Sequence, residues 1–221
     1  MRGKKIGILY SGGMDSAALA GRLIKEGYEV WPIYIQCELP WEKSEKAAAK
    51  KFLTALSSKN IKPLQTVRLL LEGAYAKNWS QTGRTPGANS ADEEVFLPGR
   101  NLLLIIKALL ALSAKNIWHL AMATLQHNPF PDATETFFRT FEKLLQHSFR
   151  HPIKISVPFR KLSKTQLLKA NKNLPLHLSF SCINPQKGLH CGRCNKCAER
   201  KKAFAQAGVI DKTVYKNQYK P

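Results

Sequence analysis

The sequence predicts an α/β fold, a doubly wound parallel sheet followed by a small C-terminal four-cysteine module. Three observations predict it. Strand-like and helix-like patterns alternate through residues 5–172, the rhythm of a parallel sheet with helices on both faces. A Ser11-Gly12-Gly13 turn joins the first strand pattern directly to the first helix pattern. Four of the five cysteines fall between positions 182 and 197. The chain divides accordingly into an α/β part over 1–172 and a cysteine-bearing segment over 173–221.

Each element has its own signal. Lys5-Ile6-Gly7-Ile8-Leu9 is a short apolar run of the buried-strand kind, and the Ala/Leu-rich residues 17–24 read as a helix. Residues 30–35 form the second strand candidate, with Pro32 near its start. In an open parallel sheet the end of that strand lies beside the Ser-Gly-Gly turn, where ligands collect. An Ala-rich amphipathic helix follows over 42–56 and a third strand over 64–69. Residues 72–99 break the rhythm with Gly73, Gly83, Pro86, Gly87 and Pro98. A loop of this length ahead of a well-marked helix is expected to cover a substrate as a lid. The apolar helix 102–114 and a fourth strand over 117–123 come next.

The fourth strand delivers residues 126–134 to the same sheet edge as the Gly-Gly turn, with Pro129 and Pro131 bracketing Phe130. Asp132 or Thr134 can cap the helix expected over 135–147. His127 is either a group that acts on substrate or a solvated loop residue. A last strand over 153–158 and a short helix over 163–172, opened by a Ser163 cap, complete the α/β part.

With 44% hydrophobic residues, the 221-residue chain can bury a proper core. Its longest apolar stretch, 102–112, is interrupted by Lys107 and is too short to cross a bilayer. Residues 6–9 run straight into the Gly-Gly turn, which reads against a signal peptide and for a cytoplasmic protein. The formal charge is +20, from 35 basic and 15 acidic residues. It is uneven: residues 111–221 hold 19 Lys/Arg against 5 Asp/Glu. Such a half steers nucleic acid or another polyanion, or is an ordinary solvated basic surface.

The Ser-Gly-Gly turn carries chemistry. Without Cβ atoms, backbone N–H groups approach an anion closely, and the helix start adds its positive dipole end. Ser11 and Ser16 add hydroxyl donors. Phosphate or pyrophosphate is the natural occupant. The turn is not a Walker A loop, because no G-x-x-x-x-G-K-[ST] occurs in the chain. Arg100 and Asn101 open the apolar helix, where an Arg opposes the dipole unless it serves an anion or a carboxylate.

Cys182, Cys191, Cys194 and Cys197 are spaced C-x8-C-x2-C-x2-C, a donor set for tetrahedral zinc. An iron–sulfur cluster and a redox C-x-x-C are the alternatives. A disulfide framework fits poorly with a cytoplasmic chain of five cysteines that leaves Cys37 over. Four thiolates leave zinc no open position, so the metal is expected to be structural.

Ser11-Gly12-Gly13-Met14-Asp15-Ser16 resembles the S-G-G-x-D-S signature of the PP-loop ATP pyrophosphatases, whose members cleave ATP between the α and β phosphates. Together with Pro98-Gly99-Arg100-Asn101-Leu102, Leu162-Ser163-Lys164 and the 181–204 cysteine segment, it resembles the 7-cyano-7-deazaguanine synthase family. That resemblance implies adenylation of 7-carboxy-7-deazaguanine by ATP, displacement of AMP by ammonia, and ATP-driven dehydration to the nitrile. It places Leu9, Tyr10, Ser11, Gly12, Gly13, Met14, Asp15, Ser16 and Ile35 around ATP, with Asp15 ordering a water of Mg²⁺. Asp15, Ser16, Arg100 and Lys164 become the catalytic candidates; Arg100, Asn101, Pro131 and Asp132 face the deazapurine. A homodimer is the implied assembly. The chain departs from the family pattern at 35–41 and 128–133. The alternative is a related adenylating enzyme that stops at the amide or acts on tRNA or another macromolecule.

Overall fold

The computed structural model describes residues 4–71, 75, 78–126 and 128–216. Its centre is an all-parallel sheet of five strands: β1 (Lys5–Leu9), β2 (Glu29–Gln36), β3 (Gln65–Arg68), β4 (His119–Ala121) and β5 (Lys154–Ser156). The spatial order is β3-β2-β1-β4-β5, so chain direction across the sheet reverses between β1 and β4. In a doubly wound sheet that reversal opens a crevice at the carboxyl ends of the strands.

All five expected strands are present, the last two shorter than the hydrophobic pattern suggested. β4 and β5 are three-residue strands, paired from His119–Lys154 to Ala121–Ser156. At the ends of that pairing Lys154 N donates to the Trp118 carbonyl at 2.8 Å and Met122 N to the Ser156 carbonyl at 2.9 Å, and the apolar residues farther out lie in loops. Pro32 is interior to β2, which has neighbours on both sides. It is tolerated because its missing N–H falls between the Val30–Ile61 bridge and the β2–β3 ladder that begins at Ile33–Gln65. On the outer side of β5, Glu142 Oε2 accepts from Ile155 N at 2.5 Å and Gln146 Nε2 donates to the Ile153 carbonyl at 2.7 Å. Those side chains satisfy an otherwise open sheet edge.

Helices α1 (Met14–Lys25) and α2 (Glu42–Leu56) cover one face, α4 (Arg100–Ser113) and α5 (Glu135–Phe149) the other. The short α3 (Trp79–Thr82) lies in the irregular stretch between β3 and α4. On the first face α6 (Lys164–Ala170) and α7 (Asn195–Ala207) complete the layer, and Ala203, Phe204 and Ala207 of α7 join the core beneath α1. Gly7 is small because α4 presses on β1: a Cβ there would lie 2.2 Å from Leu112 Cδ1. Ser163 caps α6 as expected and adds a reciprocal bond to the Gln166 side chain. Thr134 caps α5 by accepting from Phe137 N. Asp132 takes no part in that cap. No helix among the described residues is long and apolar enough to cross a membrane.

Candidate active site

The Ser-Gly-Gly turn sits at the carboxyl end of β1 and feeds α1 with Gly13 at the N-cap, where no side chain caps the helix. Gly12 has φ +80°, and a Cβ on it would lie 2.9 Å from Ala49 Cβ and from the Glu45 carbonyl. Only glycine fits there. Ser11 Oγ accepts from Gly13 N at 3.2 Å, Ser16 Oγ donates to the Gly13 carbonyl at 3.0 Å, and the two hydroxyls are 3.3 Å apart. Phe180 N donates to the Gly12 carbonyl at 2.8 Å, so the cysteine segment holds the turn directly.

Beside the turn runs a line of alternating charges. Lys164 Nζ lies 3.1 Å from Asp15 Oδ2 and 2.6 Å from Glu199 Oε1. Lys196 Nζ lies 2.9 Å from Glu199 Oε2 and 3.4 Å from Asp92 Oδ1. Burial pushes the Asp15 carboxyl up against the opposing pull of Lys164, and its Oδ1 is buried without a partner. Burial also works against charge on Lys164, but Asp15 and Glu199 outweigh it and raise its pKa. Glu199 is held down at about 2: burial opposes ionisation, and Lys164 and Lys196 overcome it.

Two lobes open from the turn. The smaller, about 260 Å³, is framed by Leu9, Tyr34, Ile35, Asn101 and Thr124 at the strand ends. The larger, about 470 Å³, runs past Lys164, Lys196 and Glu199 toward Trp41, Trp79 and Leu97. Ser11, Gly13, Asp15, Glu45 and Arg100 border both. Arg100 Nε is buried with no hydrogen-bond partner, a donor without an acceptor at the junction. The Glu45 carboxyl accepts from Tyr34 Oη at 2.7 Å, and burial raises its pKa to about 7 against the pull of Tyr34 and Arg100.

The irregular stretch before α4 forms a wall of this cleft and is tied to the cysteine segment. Asn195 N donates to the Pro86 carbonyl at 3.1 Å, Asn195 Nδ2 to the Ser90 carbonyl at 2.7 Å, and Gly87 bridges Cys194. Trp79 stacks on Trp41 at 5.4 Å between ring centroids. The lid expectation over 72–99 thus becomes a braced wall for the residues described; 72–74, 76–77 and His127 lie outside them.

The four cysteines converge. The Sγ atoms of Cys182, Cys191, Cys194 and Cys197 lie within 4.8 Å of one another, and all four residues are buried. Cys191–Cys197 and Cys182–Cys194 are each 3.9 Å apart, close to the ~3.8 Å edge of a tetrahedron with ~2.3 Å metal–sulfur bonds. Backbone N–H groups of Asn184, Cys191, Arg193 and Cys194 point at Sγ atoms over 3.2–3.4 Å, as suits thiolates. The cluster can therefore hold a metal ion. None of the five cysteines is in a disulfide. His190, beside the cluster, is turned away: its Nε2 accepts from Ser181 N at 3.1 Å. Arg200 is buried and braces the segment through Ser179 Oγ, Ser181 Oγ, the Leu176 carbonyl and Thr213 Oγ1.

A phosphate-type turn, a two-lobed cleft and a four-thiolate cluster in one chain agree with the comparisons to known proteins. The family model described as "Queuosine biosynthesis protein QueC" matches residues 5–208. The chain belongs to the QueC family. The family makes it an enzyme of the ligase type. It is 28% identical over 222 residues to a 7-cyano-7-deazaguanine synthase of Anaeromyxobacter dehalogenans, covering 94% of each chain. It is 30% identical over 234 residues to that of Methanococcus aeolicus, covering 93% of this chain and 96% of the relative. Among solved structures, a 4-thiouridine synthetase–RNA complex with bound ATP is similar at 14% identity and a TM-score of 0.49, over 93% of this chain and 50% of that one.

The residues singled out in the sequence sort into three groups. Ser11, Gly13, Asp15, Ser16, Arg100, Lys164, Leu9, Ile35 and Asn101 surround the cleft, while Gly12 packs against Ala49 and the Glu45 carbonyl beneath it. Tyr10 and Met14 border it while their side chains belong to the core. Pro131 and Asp132 line neither lobe: Asp132 accepts from Asn101 N at 3.0 Å and, through its carbonyl and Oδ1, from Asn101 Nδ2 at 3.0 and 3.2 Å. Phe130 and Asn128 reach the cleft instead. Sequence reasoning missed Glu45 and Glu199. Glu45 reads as an ordinary acidic residue in a helix first turn, and Glu199 as one acid in a basic run.

Proposed function

We propose that the chain is a 7-cyano-7-deazaguanine synthase. It adenylates the carboxylate of 7-carboxy-7-deazaguanine with ATP, takes ammonia to the amide, and uses a second ATP to dehydrate the amide to the nitrile. The observation that carries this reading is the junction of the two lobes. A phosphate-holding turn, the Lys164–Asp15 pair and the unpartnered Arg100 Nε all converge there, in a chain of the QueC family.

The smaller lobe takes adenosine, with the backbone at 34–36 beside the adenine and Ile35 against it. Backbone N–H groups from Gly13 to Ser16, with the Ser11 and Ser16 hydroxyls, hold the departing pyrophosphate. Lys164 offsets its charge, and Asp15, whose Oδ1 has no protein partner, would be the residue to hold a hydrated Mg²⁺, which would neutralise phosphate charge. Arg100 pairs with the substrate carboxylate and keeps it against the α-phosphate. Placement and charge neutralisation carry the reaction, because preorganised donors stabilise charge that develops only in the transition state. No residue need be a covalent nucleophile.

We assign zinc to the four thiolates. With its coordination filled it supplies no reactive position, only a fixed segment 173–221. That segment then serves the ATP-binding part, 1–172, by holding the turn through Phe180. The reaction is set in the cytoplasm, in a homodimer. A second reading, an adenylating enzyme whose amine or acyl partner is tRNA or another polyanion, is favoured by the 19 basic against 5 acidic residues of the second half.

Incubation with ATP, ammonium and 7-carboxy-7-deazaguanine, read by mass spectrometry, tests both. Nitrile with AMP is the expected result. A stalled amide, or turnover only with tRNA added, moves the reading to the second; no AMP under either condition overturns both.

A further inference from the structure

The nitrogen that attacks the acyl adenylate must lose a proton, and none of the residues assigned above takes it. We propose that Glu45 is the general base that accepts this proton. The inference rests on the adenylation reading.

An acyl adenylate spans both lobes, with AMP in the smaller and the acyl group in the larger, so its reacting carbon lies at their border. Of the side chains there, Ser11 faces phosphate, Asp15 is tied to Lys164, and Arg100 is a cation. Glu45 is the remaining carboxyl, and no salt bridge engages it among the described residues. The groups bearing on it are Tyr34 from β2, Arg100 from α4, and Glu42 on its own helix, with the Cys37 thiol nearby.

The carboxyl is also held in place. Tyr34 Oη donates to Oε2 at 2.7 Å, Glu45 N donates to the Trp41 carbonyl at 3.0 Å, and the Glu45 carbonyl abuts Gly12. The helix turn that carries the base is thus built against the turn that holds the phosphates. Burial brings its pKa to about 7, which suits a base working at neutral pH.

The step balances without an oxidant or reductant. Ammonia forms a C–N bond at the acyl carbon, and the bond from that carbon to the phosphate oxygen breaks, its electron pair leaving with AMP. One proton passes from nitrogen to the Glu45 carboxylate and then to solvent. The products are the primary amide, AMP and a proton.

The test separates the two half-reactions of the full-length protein. Adenylation is read by pyrophosphate–ATP exchange with 7-carboxy-7-deazaguanine, and amide formation by single turnover with ammonium. In Glu45→Gln the ratio of amide formation to adenylation falls about 100-fold. The limb near pH 7 disappears, and the residual rate follows free ammonia. Hydroxylamine, neutral at pH 7, restores part of the loss. Tyr34→Phe removes a hydrogen bond that favours the ionised carboxylate, so it shifts the limb upward. An unchanged ratio in Glu45→Gln, equal loss of both half-reactions, or an unmoved limb in Tyr34→Phe overturns the assignment. If the wild-type protein shows no exchange with this acid, the adenylation reading itself falls, and the assignment with it.

Discussion

Lys164 reaches from the first turn of α6 back to Asp15 in the first turn of α1, with Nζ 3.1 Å from Oδ2. Glu199 of α7 holds the same ammonium from the other side at 2.6 Å. The cation is thereby fixed beside the phosphate turn before any ligand arrives, and three helices are pinned to one point.

Replacing that cation exposes its role. Lys164→Met leaves two carboxylates facing each other, and AMP release is expected to fall about 100-fold or more. The part-exposed pair limits the stability cost to about 1–2 kcal/mol. Steady-state AMP release and urea denaturation measure the two effects, and an unchanged kcat/KM would sink the role given to Lys164. Asp15→Ala abolishes AMP release and keeps full metal content, because the cysteine cluster does not include it.

The four-thiolate segment and the Ser-Gly-Gly turn are joined by one backbone bond, from Phe180 N to the Gly12 carbonyl. Cys194→Ser, or chelation, removes the metal and lowers Tm. It also raises KM for ATP, since Phe180 N then no longer holds the Gly12 carbonyl firmly. Metal analysis, thermal melts and ATP titration report these separately. Full metal content in Cys194→Ser would contradict the four-thiolate site.

Asp132 is predicted to matter for the position of Arg100 rather than by touching substrate. Asp132→Ala strands the Asn101 N–H and amide, at a cost of about 1–3 kcal/mol. It also raises KM for the acyl substrate more than it lowers kcat. A fall in kcat with KM unchanged would count against it.

His119 supplies a pH dependence of stability away from the cleft. Burial, then Lys154, lowers its pKa from 6.5 to about 4, and its Nε2 lies 2.7 Å from Ser156 Oγ. The folded state therefore binds fewer protons than the unfolded one between those values. The stabilisation is complete above about pH 6.5 and is lost as pH falls toward 4, with a ceiling of ~3 kcal/mol. Denaturation across pH 4–7 in wild type and His119→Gln measures it; equal slopes in the two proteins would remove His119 as the cause.

Much of this site was legible in the chain. The five strands follow from short apolar runs, and the tight turn at the end of β1 from glycines set between a strand and a helix. The convergence of the four thiols follows from C-x8-C-x2-C-x2-C, whose members lie close together in sequence. Asp132 shows where such reading stops. Its local pattern allows a cap for α5, yet Thr134 makes that cap and Asp132 turns to Asn101 across the fold.

The sequence alone determined the strands and helices of the α/β part, the Ser-Gly-Gly turn and the thiolate set, because each is encoded within one or two turns of chain by periodicity, missing Cβ atoms or ligand spacing. Helix α7, which carries Glu199, was not read from it. Only the tertiary structure decided which side chains meet over the turn. The order β3-β2-β1-β4-β5 opens the crevice beside β1 and brings α2, α4, α6 and α7 to its rim. Glu45, Arg100, Lys164 and Glu199 thus converge from four separate helices. No local pattern encodes that meeting, since its distances are set by how the layers pack.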